Sequence, residues 1–387
     1  MRILTFTIGC LLFGMVHAAP EDSRTTEVKL AKSLIDIHND RLDTAMNEVN
    51  SVLHDNPNYK LAQLVKGDLL MAKAGPISNF GNVPHAPGDR IQDLRDEARV
   101  RLLRAQSQPL TQHAPRYLWK LSDEQKYALV VDTSRSTLYV YENIKGEPRY
   151  VTDFYVTIGK LGTEKVTAGD QRTPIGVYFI RASLPKKQLS DIYGSGAFPL
   201  SYPNEWDKRN GRTGSGIWLH GTPSGTYSRP PRASNGCVVL NNNDLTRLAP
   251  YLQVGITPVI ITNRMAWDSK QDDADRVELL HEIERWRRDW ASLDIEAYLK
   301  HYAHNFSSED ENYAAWARQK RTVNAGKSWI KVGISELSLF IYPDQPDMVV
   351  VDFVQDYKSS NLSNHMKKRQ YWVKKNGSWQ ILYEGSA

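Results

Sequence analysis

The spacing of apolar residues changes twice along the chain, and these changes limit the folds that it can adopt. In residues 25–106 apolar side chains recur every three to four positions, as they do in amphipathic helices. Residues 120–264 contain short β-branched and aromatic runs between turn residues, whereas residues 272–387 begin with helical spacing and end in strands. At 387 residues the chain is long enough for two or three domains. We therefore expect a multi-domain α+β protein.

The first region is predicted to be helical. Residues 25–74 have the spacing of three helices, and Asn56-Pro57 separates the second helix from the third. This order resembles one and a half tetratricopeptide repeats. A linker rich in Gly, Pro and Asn follows over residues 76–87, and a charged helix is predicted over residues 89–106. Since a single repeat is too short for a solenoid, we expect a small module for packing or dimerisation.

The second region is predicted to be mostly β. Its strand-like runs are residues 127–131, 137–142, 154–158, 176–180, 216–219, 237–240 and 257–262. A long polar insertion, residues 184–214, interrupts them and contains Asp191, Tyr193 and Asp207. The insertion could form a lid over a cleft. It could equally be a mobile surface loop without a role.

The third region combines helices with a final set of strands. Two helices are predicted, one with Leu279, Ile283, Trp286 and Trp290 on a face, and one with Ala297, Tyr298, Tyr302 and Phe306. Strands are predicted over residues 331–342, 348–356, 367–374 and 379–384. Helices followed by such an antiparallel meander resemble the nuclear-transport-factor-like cone. The aromatic side chains are expected to fill the cone, although they could also line a ligand pocket.

Two histidines of the third region allow a metal hypothesis. If the second helix forms as predicted, His301 and His304 lie about one helical turn apart. No third ligand stands at a useful spacing in the sequence. Helix histidines without a metal are therefore the preferred interpretation.

The first eighteen residues have the features of a secretory signal peptide. A positive start at Met1-Arg2 precedes an apolar run over residues 3–16, and Ala18 provides a small residue for cleavage after it. The run is shorter than the ~20 residues that cross a bilayer. We therefore predict a signal peptide over residues 1–18 and an exported protein with no membrane span after cleavage. Lipid attachment at Cys10 is disfavoured, because the apolar run continues beyond it.

The net charge of the chain argues against nucleic-acid binding and excludes few other functions. The net charge of +5 comes from 49 basic and 44 acidic residues. This excess is too small and too evenly mixed to indicate nucleic-acid binding. It is compatible with an anionic polymer as a partner.

Removal of the signal peptide would leave Cys237 as the only thiol. Exported proteins often use cysteines in pairs. A single cysteine is therefore buried by chance, forms an intermolecular link, or is a reactive thiol. Reactivity requires a thiolate, and so a base or a positive charge nearby.

His220 is the candidate base for this thiol. Both residues stand where an apolar run meets a loop, which is how a rigid sheet presents a side chain to a cleft. Gly236 would let the main chain approach a ligand closely. The amides near Cys237 could then stabilise the oxyanion of a tetrahedral intermediate.

The motifs around these two residues resemble those of the YkuD-type L,D-transpeptidase family. They are His220-Gly221-Thr222, Ser234-Asn235-Gly236-Cys237, Ile158-Gly159-Lys160, Gly169 and Thr173-Pro174-x-Gly176-x-Tyr178. The resemblance implies a mostly β catalytic domain whose cysteine is acylated by a peptidoglycan stem peptide. It implies Cys237 as nucleophile, His220 as general base and the Gly221 carbonyl as the group that orients the ring. Ser234, Asn235 and Gly236 would shape the site. No metal or organic cofactor is implied.

Two positions depart from the family pattern. Asn235 stands where most members have His, and Val239 stands where they have Arg. The loss of that arginine removes a bidentate contact to a substrate carboxylate. Arg229 or Arg232 could replace it, or both could be ordinary solvated loop residues. The departures and the cone-like region make the chain similar to the cell-shape L,D-carboxypeptidase branch of the family.

Three functions remain open from the sequence. The function that we expect first is transfer of the acyl group to an amine, as in a transpeptidase. The alternative acceptor is water, as in an L,D-carboxypeptidase or amidase. The motif is the same for both, so it does not separate them. In a third hypothesis the chain is a non-catalytic wall-binding scaffold, which the intact motifs argue against. We expect stem peptides as partners, and a homodimer could form through the helical or the C-terminal domain.

Overall fold

The computed structural model describes residues 22–77, 79–81, 86–106 and 113–387. The predicted signal peptide, residues 1–18, lies outside them, as do Cys10 and part of the predicted linker. No helix of the described ranges is long and apolar enough to cross a membrane. N-terminal helices, a mostly β middle region and a C-terminal α+β region follow one another. The predicted fold class is therefore confirmed.

The N-terminal region packs four helices around a small apolar core. They are α1 (Asp22–His38), α2 (Leu42–Asp55), α3 (Lys60–Ala74) and α4 (Gly88–Gln106). Helix α1 contacts α2 and α4, and α2 contacts α3. Ala45, Val49 and Val52 of α2 are fully buried because their spacing of three to four residues puts them on one face. The helix break predicted at Asn56-Pro57 is confirmed, since α2 ends one residue earlier.

The middle region is built from short strands and two short helices. They are β1 (Leu118–Lys120), β2 (Tyr127–Asp132), β3 (Thr137–Ile144), β4 (Glu147–Tyr155), β5 (Ile158–Gly159), β6 (Gly176–Phe179), β7 (Leu184–Pro185), β8 (Gly196–Pro199), α5 (Glu205–Arg209), β9 (Trp218–His220), β10 (Arg232–Ser234), β11 (Val238–Val239), α6 (Asn242–Leu248) and β12 (Pro258–Thr262). Three sheets have the orders β4-β3-β2-β12-β6, β11-β9-β8-β7 and β10-β5. The four-stranded sheet β11-β9-β8-β7 contains β9, the strand that ends at His220.

The five-stranded sheet is covered on both faces. Leu129 and Val131 of β2 join the core of the middle region, whereas Ala128 and Val130 join the core of the C-terminal region. Successive side chains of a strand point to opposite faces, so both faces of β2 require apolar residues. This explains why its sequence is apolar without alternation. The C-terminal region is thereby packed directly against one face of the five-stranded sheet.

The C-terminal region wraps three helices around a long curved sheet. Its elements are α7 (Lys270–Ala291), α8 (Ile295–Leu299), β13 (Tyr302–Ser308), α9 (Tyr313–Ala325), β14 (Ile330–Ile341), β15 (Met348–Ser359), β16 (Ser363–Lys375) and β17 (Ser378–Ser386). The sheet has the order β1-β14-β15-β16-β17-β13. Strand β1 lies at the start of the middle region in sequence but pairs with β14 of this C-terminal sheet, with Leu118 opposite Phe340. Trp286 and Trp372 are fully buried and fill the cone.

The second helix predicted in this region is wrong beyond Leu299. Tyr302 and Phe306 lie on β13 instead. Their spacing of four residues fits one face of a helix and also one face of a strand, so it does not distinguish the two. His301 contacts Glu282 and Asp289 through its two ring nitrogens, at 2.7 and 2.8 Å. His304 lies on β13, so the two histidines are not one helical turn apart and the premise of the metal hypothesis is wrong.

The polar insertion forms ordered structure that joins two regions. Strands β7 and β8 belong to the sheet of His220. Trp206 of helix α5 packs against Tyr342 and Tyr371 of the C-terminal region. Asn204 donates to the hydroxyl of Tyr342 over 3.2 Å. Arg209 donates to Ser307 Oγ over 2.6 Å and to the Leu382 carbonyl over 3.2 Å. The alternative of a mobile surface loop is therefore wrong, because the insertion pairs with the sheet and bonds to the cone.

Candidate functional site

The strand register places His220 and Cys237 on the same face of the four-stranded sheet. Strands β9 and β11 are parallel neighbours, with Leu219 opposite Val238 and His220 opposite Val239. Leu219 and Val238 face the core. Because side chains alternate along a strand, His220 and Cys237 both project from the opposite face. Two positions separated by 17 residues in sequence are thus brought to one surface.

The turn before Cys237 requires glycine at position 236. Gly236 has a φ of +122°, and a Cβ at this position would lie 2.7 Å from the carbonyl oxygen of Arg172. Both the left-handed conformation and the close main-chain contact exclude a side chain. Thr173 donates to the Gly236 carbonyl over 2.9 Å and accepts from the Gly159 amide over 2.9 Å. Thr173 thus supports the turn that precedes Cys237.

Ser234 closes the same turn from the other side. Its hydroxyl donates to the Cys237 carbonyl over 2.6 Å and accepts from the Gly236 amide over 3.1 Å. The Gly236 N–H is therefore already used. Among the amides predicted to stabilise an oxyanion, we take the N–H of Cys237 itself as the candidate donor.

The ring of His220 is held in one tautomer and is shielded from water. Nδ1 lies 2.7 Å from the Gly221 carbonyl oxygen, which can only accept, so Nδ1 has the proton and Nε2 has the lone pair. Tyr193 of the insertion packs edge-on against the ring at 5.2 Å between centroids. Burial lowers the pKa of His220 from its ordinary 6.5 to about 4. At neutral pH the imidazole is uncharged and can accept a proton.

The thiol of Cys237 is half-buried, and its surroundings shift its pKa in opposite directions. It donates to the Gly216 carbonyl over 3.3 Å. Burial raises the pKa of Cys237 above its ordinary value, while the Trp218 amide and the cations of Arg229 and Lys165 lower it. Because burial dominates, the resting thiol is neutral. The structure thus favours proton transfer to His220 during attack over the resting thiolate expected from the sequence.

Of the two arginines suggested for a substrate carboxylate, the structure favours Arg229. Its side chain is half-buried and acts electrostatically on both Cys237 and His220. No carboxylate lies within ion-pair distance of it in the part of the chain that the structure describes. Arg232 and Asn235 are exposed. Val239 is buried, and its aliphatic side chain cannot replace the arginine that the family pattern has at this position.

Asn242 is a supporting residue that the sequence interpretation missed. Its side chain donates to the Thr222 carbonyl over 2.8 Å and accepts from the Ser195 amide over 2.8 Å. A Cβ on Gly221 or on Gly194 would lie 2.1 Å from its Oδ1. The glycine of the His-Gly-Thr motif is therefore required for close packing. The run of three asparagines after Leu240 was the available clue in the sequence.

These features define a class of protein with a cysteine–histidine site on a β fold joined to a cone-like domain. Residues 126–261 match the family model of the L,D-transpeptidase catalytic domain, YkuD. Residues 278–385 match the Cds6 C-terminal NTF2-like domain. No curated protein matches the chain in sequence.

Two solved structures extend this similarity over most of the chain. Bd1075 from Bdellovibrio bacteriovorus is 31% identical with a TM-score of 0.62, covering 71% of this chain and 98% of its own. The helical cell shape determining protein Pgp2 from Campylobacter jejuni is 26% identical with a TM-score of 0.61, covering 70% of this chain and 95% of its own. The chain belongs to the YkuD-type L,D-transpeptidase family, in the architecture that Bd1075 and Pgp2 share.

Proposed function

We propose that this protein modifies peptidoglycan by forming a thioester between Cys237 and a stem peptide, and that water then receives the acyl group. The supporting observation is the common face of Cys237 and His220, with the lone pair of His220 Nε2 free of the Gly221 contact. The match to the L,D-transpeptidase catalytic domain supports peptidoglycan as the substrate class. Stem peptides are therefore the proposed partners.

Acylation begins with a neutral pair. His220 Nε2 takes the Sγ proton while the sulfur attacks the carbonyl carbon at the L-to-D linkage. The Cys237 N–H donates to the oxyanion of the tetrahedral intermediate. When the intermediate collapses, the C–N bond breaks and the leaving amine takes the proton from His220. A thioester and a free D-amino acid result.

Deacylation repeats these roles with water. His220 accepts a proton from water, and the oxygen attacks the thioester carbonyl. The C–S bond then breaks and the sulfur takes the proton back from His220. The net reaction trims a tetrapeptide to a tripeptide. Water is the preferred acceptor because 70% of this chain is covered by the similarity to Pgp2, which is described as cell shape determining, and because the sequence resembles the cell-shape L,D-carboxypeptidase branch.

Transfer to an amine is the second candidate. The family model that matches residues 126–261 is that of a transpeptidase catalytic domain, and the first half-reaction is identical. Both candidates require the substrate to be outside the cytoplasm, where peptidoglycan lies. We therefore also propose export through the predicted signal peptide of residues 1–18.

The two candidates are separated by their products. Purified mature protein is incubated with disaccharide-tetrapeptide, and the products are followed by mass spectrometry. Tripeptide with released D-amino acid is expected, and cross-linked dimer would instead establish the transpeptidase. The Cys237→Ala protein is the control, and it should form neither product nor the covalent carbapenem adduct expected on the native thiol. A native protein that gives no product and no adduct would support the scaffold hypothesis.

A further inference from the structure

The loop between His220 and Cys237 is anchored in the N-terminal helical region. Tyr227 of this loop packs against the apolar core of the four helices, with its ring 4.5 Å from that of Tyr59. The neighbouring residue, Ser228, reaches a buried charge cluster on α4. The helical region therefore contacts the loop immediately before Arg229.

Arg101 is the centre of this cluster. Its side chain is 1% exposed. It pairs with Glu27 of α1 and donates to Glu97 over 3.0 Å and to Ser228 Oγ over 2.6 Å. The Ser228 hydroxyl in turn donates to Glu97 over 2.9 Å. A buried cation with two carboxylates and a hydroxyl is a fully satisfied and therefore rigid arrangement.

The same cluster supports the main chain of Arg229. The guanidinium of Arg101 lies over the ring of Tyr155, 3.8 Å from its centroid. The hydroxyl of Tyr155 donates to the Arg229 carbonyl over 2.9 Å, and Thr157 donates to it over 3.1 Å. The position of Arg229 is thus fixed by the contacts of its neighbour Ser228 and by the hydrogen bonds that its own carbonyl accepts. Both contacts lead back to Arg101.

The side chain of Arg229 lacks the partner that its surroundings require. A half-buried guanidinium is stabilised by a carboxylate, which it binds in bidentate geometry. The described chain provides none within ion-pair distance. Thr157, which donates to the Arg229 carbonyl, pairs with Val239 two residues after Cys237, so Arg229 lies beside the cysteine strand. The positive charge of its guanidinium acts on both Cys237 and His220. In an L-to-D linkage to a terminal residue, the substrate's own carboxylate lies a few bonds from the scissile amide.

We infer that Arg229 selects peptides by binding the terminal carboxylate of the leaving D-amino acid, and that the helical region positions it through Arg101, Ser228 and Tyr155. This inference rests on the proposed function and adds a specificity residue to it. It assigns a task to the N-terminal helices, which the catalytic motif does not include. Arg229 would contact substrate, whereas Arg101, Ser228 and Tyr155 are positioning residues.

The test compares kcat/KM for three tetrapeptides. One has the free terminal carboxylate, one a terminal carboxamide, and one a free terminus but an amidated side-chain carboxylate. The native protein should prefer the first over the second by about 10- to 100-fold, the effect of a charge-assisted hydrogen bond, and should cleave the third normally. Arg229→Gln should abolish the preference. Loss of cleavage of the third peptide alone would instead assign Arg229 to the side-chain carboxylate and overturn the inference.

Positioning is tested with two conservative variants. Ser228→Ala and Tyr155→Phe each remove one hydroxyl, and each should reduce the preference about three- to tenfold through KM, with kcat nearly unchanged. Arg149→Gln and Tyr150→Phe, on the same strand as Tyr155 but without contact to Arg229, are the matched controls and should keep the native preference.

Different results would overturn positioning by the helices, the Arg229 subsite and the proposed function. An unchanged preference in Ser228→Ala and Tyr155→Phe, with both peptides slowed equally, would overturn positioning by the helices. A native protein that cleaves the carboxylate and the carboxamide equally well would overturn the Arg229 subsite and leave the proposed function intact. A native protein that cleaves neither would overturn the proposed function as well.

Discussion

The hydroxyl of Thr173 donates to the main-chain carbonyl of Gly236 over 2.9 Å. The two residues are 63 positions apart, yet Thr173 is completely buried beside the cysteine turn. The same hydroxyl accepts from the Gly159 amide, so it joins two further segments of the family pattern. The conformation of the turn before Cys237 therefore depends on residues that do not take part in the chemistry.

Thr173→Val should impair the site without large changes in packing. Valine matches threonine in shape but leaves the Gly159 amide without a buried acceptor, which costs about 1–3 kcal/mol of stability. We expect a lower midpoint in chemical denaturation and a slower Cys237 acylation by a carbapenem. Thr173→Ser keeps the hydroxyl and should restore most of the acylation rate. Equal rates in native protein and Thr173→Val would contradict the supporting role.

Gly236→Ala should be more severe for the reaction. The positive φ and the contact with the Arg172 carbonyl force the turn to move, and a shift of about 1 Å at a reacting group can cost about a hundredfold in rate. Gly225→Ala is the matched control, since nothing lies within 4 Å of a Cβ at that position. The ratio of their kcat/KM values measures the effect of the turn. Similar values for the two variants would show that the turn tolerates a side chain.

Much of this architecture was predictable because the evidence is local. The spacing of Leu42, Ala45 and Val49 predicts a helix face, and the Asn56-Pro57 break follows from proline chemistry. The candidate pair of His220 and Cys237 was found from short motifs at strand ends. Each of these inferences needs only a few neighbouring residues.

The remaining features depend on contacts between distant segments. Leu118 joins the C-terminal sheet through a three-residue strand that has no distinctive pattern. Tyr302 and Phe306 satisfy the helical and the strand period equally. The choice between Arg229 and Arg232 required their relative burial, which depends on the folded structure. Local sequence patterns do not indicate such contacts between distant segments.

Asp268 provides a test of the interface between the middle and C-terminal regions by pH. Burial raises its pKa from 3.8 to about 7, and its Oδ1 has no hydrogen-bond partner among the described residues. The folded state thus holds a proton that the unfolded state releases above about pH 4, so this group's contribution to stability falls as the pH rises from about 4 to 7.

Asp268→Asn removes that penalty. After allowance for partial exposure, we expect about 1–2 kcal/mol of added stability at about pH 8 and almost none at about pH 4. Urea denaturation at both pH values is the measurement. An equal gain at both would point to a packing effect and not to the carboxylate.

The acid limb of the pH profile of kcat/KM should reflect the low pKa of His220. Only the neutral ring accepts the thiol proton, and burial lowers its pKa to about 4. Activity should therefore be present above this value and fall as the pH drops through about 4, where an ordinary histidine would already be protonated below about 6.5. The measurement is kcat/KM for the tetrapeptide against pH, with circular dichroism at each pH to verify that the protein stays folded.

His220→Gln is the control for this assignment. It keeps a polar side chain but provides no base, so kcat/KM should fall about 10²- to 10⁴-fold and the limb near pH 4 should disappear. The thiolate absorbance of Cys237 should be absent at neutral pH in both proteins, because burial also keeps the thiol protonated. An acid limb near 6.5 would show that His220 titrates as an ordinary histidine, which would contradict the low pKa. A strong thiolate absorbance at neutral pH would show that a thiolate–imidazolium pair exists at rest. Proton transfer would then precede substrate binding, and the buried neutral pair would not describe the free enzyme.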